Sequence, residues 1–253
     1  MARTVAICEG PAQLAEQAAE LIAAAARRSV TARGRFTVCL AGGDTPVATY
    51  RRLARPEAGL PWSRVHVFWG DERCIPLERP DNHFTLANES LLSRVPIPSA
   101  NVHRARGELA DASQAALDYE LTLRKFFGQG CAVPVFDLVL LGMGEDGHVA
   151  SIFAESEGFR ERRRWVVDHY VLKRGQRVRR LTLTMPVLTA AREVLILVAG
   201  EHKAQMLASV LEGSAAVPAS EVDASAARVS WMVDRAAAGT LAARTGAGAE
   251  VRG

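Results

Sequence analysis

"FDLVLLGMGEDGH", residues 136–148, carries an apolar segment straight into glycines, two acids and a histidine. The same pattern recurs along the chain. "TVCLAG" (37–42) meets "GDTP" (43–46), "VHVFWG" (65–70) meets "DER" (71–73), and "LILVAG" (195–200) meets "EHK" (201–203). Each apolar run is short and continuous, so it fits a strand buried on both faces. Helix-forming stretches separate many of the runs, which predicts an α/β fold: a mostly parallel open sheet, Rossmann-like, with helices on both faces. In such a sheet the carboxyl ends of the strands point to one edge, and ligands bind in the crevice there. Asp44, Thr45, Asp71, Arg73, Asp146, His148 and Lys203 are therefore expected to converge.

Working outward, strands are expected at 4–8, 35–42, 64–70, 136–142, 180–184 and 193–200, with a further one at 165–172. Helices are expected at 11–28, 83–94, 110–127 and 201–211, each with apolar residues in helical register or helix-forming composition. Residues 1–238 read as one domain. The tail, 239–253, has no bulky apolar residue after Leu241 except Val251 and is expected to be flexible.

The chain has 253 residues, 49% hydrophobic and 23% charged, which is ordinary globular composition. A net charge of +3 does not argue for nucleic acid. Cys8, Cys39, Cys74 and Cys131 are scattered, against a disulfide framework or a structural zinc site. Cys8 and Cys39 read as core residues. The start has no apolar run of signal length, and no stretch reaches the roughly 18 apolar residues of a membrane helix. A soluble cytoplasmic protein is expected.

Gly142, Gly144 and Gly147 spell G-x-G-x-x-G after a strand, and Asp168 follows at about the spacing of a ribose-binding acid. The charges oppose the dinucleotide reading. A pyrophosphate would sit over the loop amides, where Glu145 and Asp146 would repel it. The next stretch, "HVASIFAESEGF", also packs poorly as a helix. The glycines instead let the chain turn sharply and bring His148 to the crevice. No G-x-S-x-G elbow and no G-K-[ST] loop occurs, against a serine hydrolase or a nucleoside triphosphate site.

The remaining groups suit a phosphorylated carbonyl compound. Backbone amides at "AGGDT" before the next helix form an anion nest. Lys203 and Arg180 can add charge to a phosphate, and Arg73 can stabilise an oxygen that becomes negative during reaction. An imidazole has a reference pKa of about 6.5, so His148 can take and return a proton, with Asp146 to orient it. Taken singly, these acids read equally well as helix caps; their shared position at strand ends gives the group its weight.

In order along the chain, "LAGGDTP", "VFWGDERCIP", "PDNHFTLANESLL", "FDLVLLGMGEDGHVASIF", "RLTLTMPVLTAAREVLILVAGEHKAQML", "VPAS" and "WMVDRAAA" resemble the 6-phosphogluconolactonase family, over about residues 5 to 238. The resemblance implies the fold of the phosphosugar isomerases and hydrolysis of 6-phospho-D-glucono-1,5-lactone to 6-phosphogluconate in the oxidative pentose phosphate pathway. It implies no metal and no organic cofactor, and glucose-6-phosphate dehydrogenase as a pathway neighbour. By resemblance His148 is the general base, Asp146 the acid beside it, and Arg73 and Lys203 substrate-binding cations. Gly42, Gly43, Thr45 and Arg180 match the sugar-phosphate loop and strand. Three positions depart from the commonest pattern: Asp44 replaces a serine, His83 a tyrosine and Ala154 a proline. An acid at 44 would repel phosphate unless its side chain caps the helix and faces away, which sets Asp44, though not the loop amides, aside as a ligand.

Glucosamine-6-phosphate deaminases are similar and share a "DGH" loop. They carry a glutamate where this chain has Phe153, and a tyrosine where it has Arg73. A non-catalytic sugar-phosphate sensor is the other alternative, though the full set of His148, Asp146, Arg73 and Lys203 argues against it.

Overall fold

The computed structural model describes residues 2–173, 175–239 and 241. In chain order the elements are β1 (Ala2–Cys8), α1 (Pro11–Arg33), β2 (Phe36–Leu40), α2 (Asp44–Leu53), β3 (Val65–Trp69), β4 (Asp71–Arg73), α3 (His83–Ser90), α4 (Ala112–Phe127) and β5 (Leu138–Gly142). Then come α5 (Glu157–Arg160), β6 (Val166–Lys173), β7 (Gln176–Leu183), α6 (Met185–Thr189), β8 (Val194–Val198), α7 (Ala204–Leu211), α8 (Pro218–Ser225) and β9 (Arg228–Asp234). Six strands form a parallel sheet in the order β1-β9-β8-β5-β2-β3. The expected α/β fold with a mostly parallel open sheet is the observed one.

Alternation along each strand builds two apolar layers. Leu138 and Leu140 of β5, with Leu195 and Leu197 of β8, pack against α1, α2 and α3. Val139 and Leu141, with Val194, Ile196 and Val198, pack against α4, α7 and α8 on the other face. Burial on both faces explains why these strands read as unbroken apolar runs rather than alternating ones. Cys8 and Cys39 are fully buried, as expected.

Four expectations need correction. The segment at 180–184 does not join the parallel sheet. It ends β7, which pairs antiparallel with β6 and with β4 in a separate three-stranded sheet. "DER" (71–73) is therefore itself a strand rather than a loop at a strand's end. The segment at 228–234 is a buried strand, β9, between β1 and β8, and it was absent from the sequence-derived set. Helix α1 also runs past residue 28 to Arg33, where Gly34 at φ 73° ends it by returning its N–H to the Val30 carbonyl. The expected tail lies, beyond Gly239 and Leu241, outside the described residues.

Away from the carboxyl edge, His66 Nδ1 lies 3.3 Å from His103 Nε2, and His103 stacks on Phe68 at 4.4 Å between centroids. Burial, with His66 adding repulsion, pulls the His103 imidazole down from 6.5 to about 4. The unfolded chain therefore takes up a proton that the folded chain refuses. This pair's contribution is fully present above about pH 6.5 and is lost as the pH falls toward 4. Thermal unfolding across that window should show a falling Tm, and His103→Gln should flatten the fall. An identical slope in the variant would remove the pair as its cause.

Candidate active site

The order in which strands are laid down reverses between β2 and β5: β3 lies outside β2, whereas β8 and β9 extend beyond β5. A crevice opens at such a point beyond the carboxyl ends. Here it is a cleft of about 620 Å³, walled by the segments that follow β2, β5 and β8 and by β4 and β7. Gly42, Gly43, Thr45, Arg73, Asp146, His148, Arg180 and Lys203 all line it, so residues distant in sequence share one cavity.

Two tyrosines fix the strand ends on which the site rests. The Tyr50 hydroxyl donates to the Ala41 carbonyl at 2.6 Å and accepts from the Ala41 N–H at 3.0 Å. Tyr119 does the same at Trp69, at 2.9 and 2.8 Å. The turn after Ala41 needs Gly43, whose φ of 91° is costly for any other residue. It feeds α2, whose first residues line the cleft, so that its N-terminal end offers an anion nest there. Asp44 is exposed on the rim and makes no capping bond, so its side chain is not turned away into a cap. Its charge is nonetheless favourable at a helix N-terminus.

The loop after β5 builds the histidine dyad. The Gly144 N–H donates to the His148 carbonyl at 2.8 Å, closing the turn. A Cβ at Gly144 would lie 2.0 Å from His148 Nδ1 and 2.5 Å from Asp146 Oδ1, so only glycine leaves room for the pair. Asp146 Oδ1 sits 2.5 Å from His148 Nδ1 and accepts the His148 backbone N–H at 3.2 Å. The bond from His148 holds the Asp146 carboxyl down at about 2, against the opposing effect of burial. An ionised acceptor at Nδ1 fixes that nitrogen as the protonated one and leaves the Nε2 lone pair free. Phe153 stacks on the imidazole at 4.2 Å and 23°, holding the ring plane.

The opposite wall is cationic. Arg73 of β4 and Arg180 of β7 are directly paired across the antiparallel ladder. Like charges at such a position repel. Arg73 is anchored by Asp81 at 2.5 Å, yet the Nε atoms of both arginines are buried without a hydrogen-bond partner. Burial pulls the Arg180 guanidinium below its usual range, against the attraction of Asp71. Asp71, itself buried, accepts from Ser151 Oγ at 2.6 Å. Burial alone would raise its carboxyl, but His83, Arg180 and Ser151 hold it well below the usual range. Two like-charged donors kept together in a cleft form a receptor for an anion. Lys203 completes the rim at the end of the short turn Glu201–Lys203. Burial lowers its ammonium, against the pull of Glu145 and Asp146.

Sequence reasoning missed several contributors. Glu72 is buried and accepts the His83 and Phe84 backbone N–H groups, each at 2.8 Å, so it caps α3. Ser151 and Phe153 support Asp71 and His148, and His83 lines the cleft. Only the position of Glu72 inside "DER" hinted at its role. Among the described residues there is no group of three or more His, Cys, Asp or Glu residues arranged to hold a metal. Nor is any described helix long and apolar enough to cross a membrane.

Residues 9–231 match the family described as glucosamine-6-phosphate isomerases/6-phosphogluconolactonase. A 6-phosphogluconolactonase of Synechocystis sp. is 39% identical over 201 residues, covering 78% of this chain and 80% of that protein. The crystal structure of 6-phosphogluconolactonase from Thermotoga maritima is 33% identical, with a TM-score of 0.79 over 92% of this chain and 99% of that one. The three-dimensional structure of 6-phosphogluconolactonase from Trypanosoma brucei is 28% identical, with a TM-score of 0.85 over 94% of this chain and 98% of that one.

Proposed function

The chain belongs to the glucosamine-6-phosphate isomerase/6-phosphogluconolactonase family, and we propose that His148 performs its chemistry as a general base. The activity is hydrolysis of 6-phospho-D-glucono-1,5-lactone to 6-phosphogluconate, a step of the pentose phosphate pathway. The observation that carries the assignment is the pairing of two devices in one cleft: an imidazole with its Nε2 lone pair free, and two facing guanidinium groups with unpartnered donors.

His148 Nε2 removes a proton from water as the water oxygen attacks the lactone carbonyl carbon. The carbonyl oxygen becomes negative and is stabilised by Arg73. As the tetrahedral species collapses, the bond from that carbon to the ring oxygen breaks, and the imidazolium returns its proton to the departing oxygen. Asp146 holds the ring and stabilises the cation formed midway, as the acid does in a histidine triad. Arg180, Lys203 and the amides of Gly43–Thr45 grip the phosphate, which brings the lactone carbonyl to His148. The chemical step draws on side chains alone. The same reading places the protein in the cytoplasm, beside the glucose-6-phosphate dehydrogenase reaction that supplies its lactone.

The deaminase alternative calls for an acid where this chain has Phe153, and that ring is packed on the imidazole. A coupled assay separates the two. The δ-lactone is generated in situ and acid release followed with and without protein, beside a glucosamine 6-phosphate control. Faster acid release and no ammonia are expected; acid release at the spontaneous rate would overturn the reading. Lys203→Ala should raise KM for the lactone by about 10- to 100-fold with a smaller change in kcat, the order for losing a charge-assisted hydrogen bond. Steady-state kinetics with both constants unchanged would remove Lys203 from the site.

A further inference from the structure

His83, the first residue of α3, sits at the floor of the cleft and is buried. Its Nδ1 lies 3.0 Å from the Asp71 carbonyl oxygen and 3.4 Å from Asp71 Oδ1. Both atoms can only accept, so Nδ1 carries a hydrogen in either protonation state. The ring face is pressed on the phosphate loop: a Cβ at Gly42 would lie 2.3 Å from each of three ring carbons. The ring's hydrogen bonds to described residues are made through Nδ1, and Nε2 makes none.

These contacts give one imidazole two opposite characters. With Nδ1–H committed to Asp71, the neutral ring presents a bare Nε2 lone pair beside the anion nest, and that lone pair repels phosphate oxygens. The protonated ring presents an Nε2–H donor and a positive charge instead. We propose that His83 is a proton-gated phosphate-binding residue, donating from Nε2 to the substrate's phosphate only when the imidazole is protonated. This rests on the assignment of the cleft to a sugar phosphate.

The charged surroundings favour that state. Asp71 of β4 lies against Nδ1, and Glu72 of the same strand accepts the His83 backbone N–H. Arg180 of β7 feels the same Asp71, Arg73 is tied to Asp81 just before α3, and Asp44 at the start of α2 lines the same cleft. Burial alone would lower the imidazole, but the Asp71 and Glu72 carboxylates raise it above its usual value. The gate therefore closes on the alkaline side of about pH 6.5, the reference value for an imidazole.

The substrate's own ionisation runs the other way. A phosphate monoester loses its second proton near pH ~6, so its charge is nearly complete at neutrality and cannot weaken binding above it. The test measures the dissociation constant of 6-phosphogluconate by calorimetry from pH 6.5 to 9, in the parent, in His83→Gln and in His83→Tyr, with gluconate as a control lacking phosphate. The parent should lose affinity by about tenfold across the range, as for one charge-assisted hydrogen bond. Lys203 also titrates more easily than usual and sets a common background, which the variants retain. Both variants should bind more weakly at pH 6.5 and show a shallower slope, with gluconate bound weakly throughout. Equal slopes in parent and variants would overturn the proposal. Should neither variant fold, the imidazole carbon resonance of His83 in the parent, titrated with and without 6-phosphogluconate, decides: its midpoint must rise on binding, and an unmoved midpoint would overturn the proposal. Absence of any 6-phosphogluconate binding in the parent would count instead against the sugar-phosphate assignment, which the lactone assay checks independently.

Discussion

His148→Ala lowers the rate of enzymatic lactone opening by about 10²- to 10⁴-fold while the protein stays folded. That range is typical for losing a positioned proton-transfer group. The other groups described in the cleft do not take over its role: Lys203 is a cation, Asp146 loses its histidine partner but stays a carboxylate, a far weaker base than an imidazole, and the His83 ring is held against Asp71 and the Gly42 turn. The fold should tolerate the change because the side chain is about a third exposed, on a loop beyond β5 rather than in either apolar layer. Substrate binding should change little, since the arginines and the α2 amides lie on other segments. The measurement is acid release from freshly generated lactone, corrected for spontaneous opening, with circular dichroism as the check on folding. A variant working at the parent rate would show that the base lies elsewhere.

The sequence made this cleft legible through position rather than through any single motif. A strand buried on both faces announces itself as an apolar run, and its end is marked by the glycine that follows. For β2, β5 and β8 that mark places Thr45, His148 and Lys203 at one edge from the sequence alone. The second sheet was less legible, for a physical reason. Strand β4 has three residues, too few to show a period, and all three are charged. Strand β7 carries charged residues in its outer half and buried apolar ones in its inner half, so only the inner half read as a strand. Strand β9 has the apolar alternation of a strand but follows the Ala- and Ser-rich α8 closely, and its neighbour in space, β1, is at the other end of the chain. The directly paired arginines depend on the β4–β7 register, which no local pattern encodes. The roles of Glu72, Ser151 and His83 are likewise tertiary: each meets a partner on another element.

Asp71→Ala should be the most destabilising single change in the site, by about 3–5 kcal/mol, the range for removing one partner of a buried charged group. Asp71 is 6% exposed and sits among His83, Arg180 and Ser151. Without it the Arg180 guanidinium loses its nearby carboxylate and still faces Arg73 across the ladder. The Ser151 hydroxyl loses its acceptor, and His83 loses the charge that holds its proton. Asp71→Asn keeps an oxygen for Ser151 and should fall between the variant and the parent. In the parent, the folded carboxyl is depressed below its ordinary 3.8. Its contribution is therefore complete above that pH and is lost as the pH drops through the folded value. Urea unfolding at pH 7 reads the effect as a lower midpoint at unchanged slope. The same experiment tests what the cationic wall is for. An anion receptor stripped of its internal carboxylate should take up external phosphate more tightly, and a ligand that binds only the folded state restores stability in proportion to the logarithm of its concentration. Inorganic phosphate should therefore stabilise Asp71→Ala more than it stabilises the parent, and sodium chloride at equal ionic strength should not. Equal stabilisation by phosphate in both proteins would mean that Asp71 does not govern the charge of the wall.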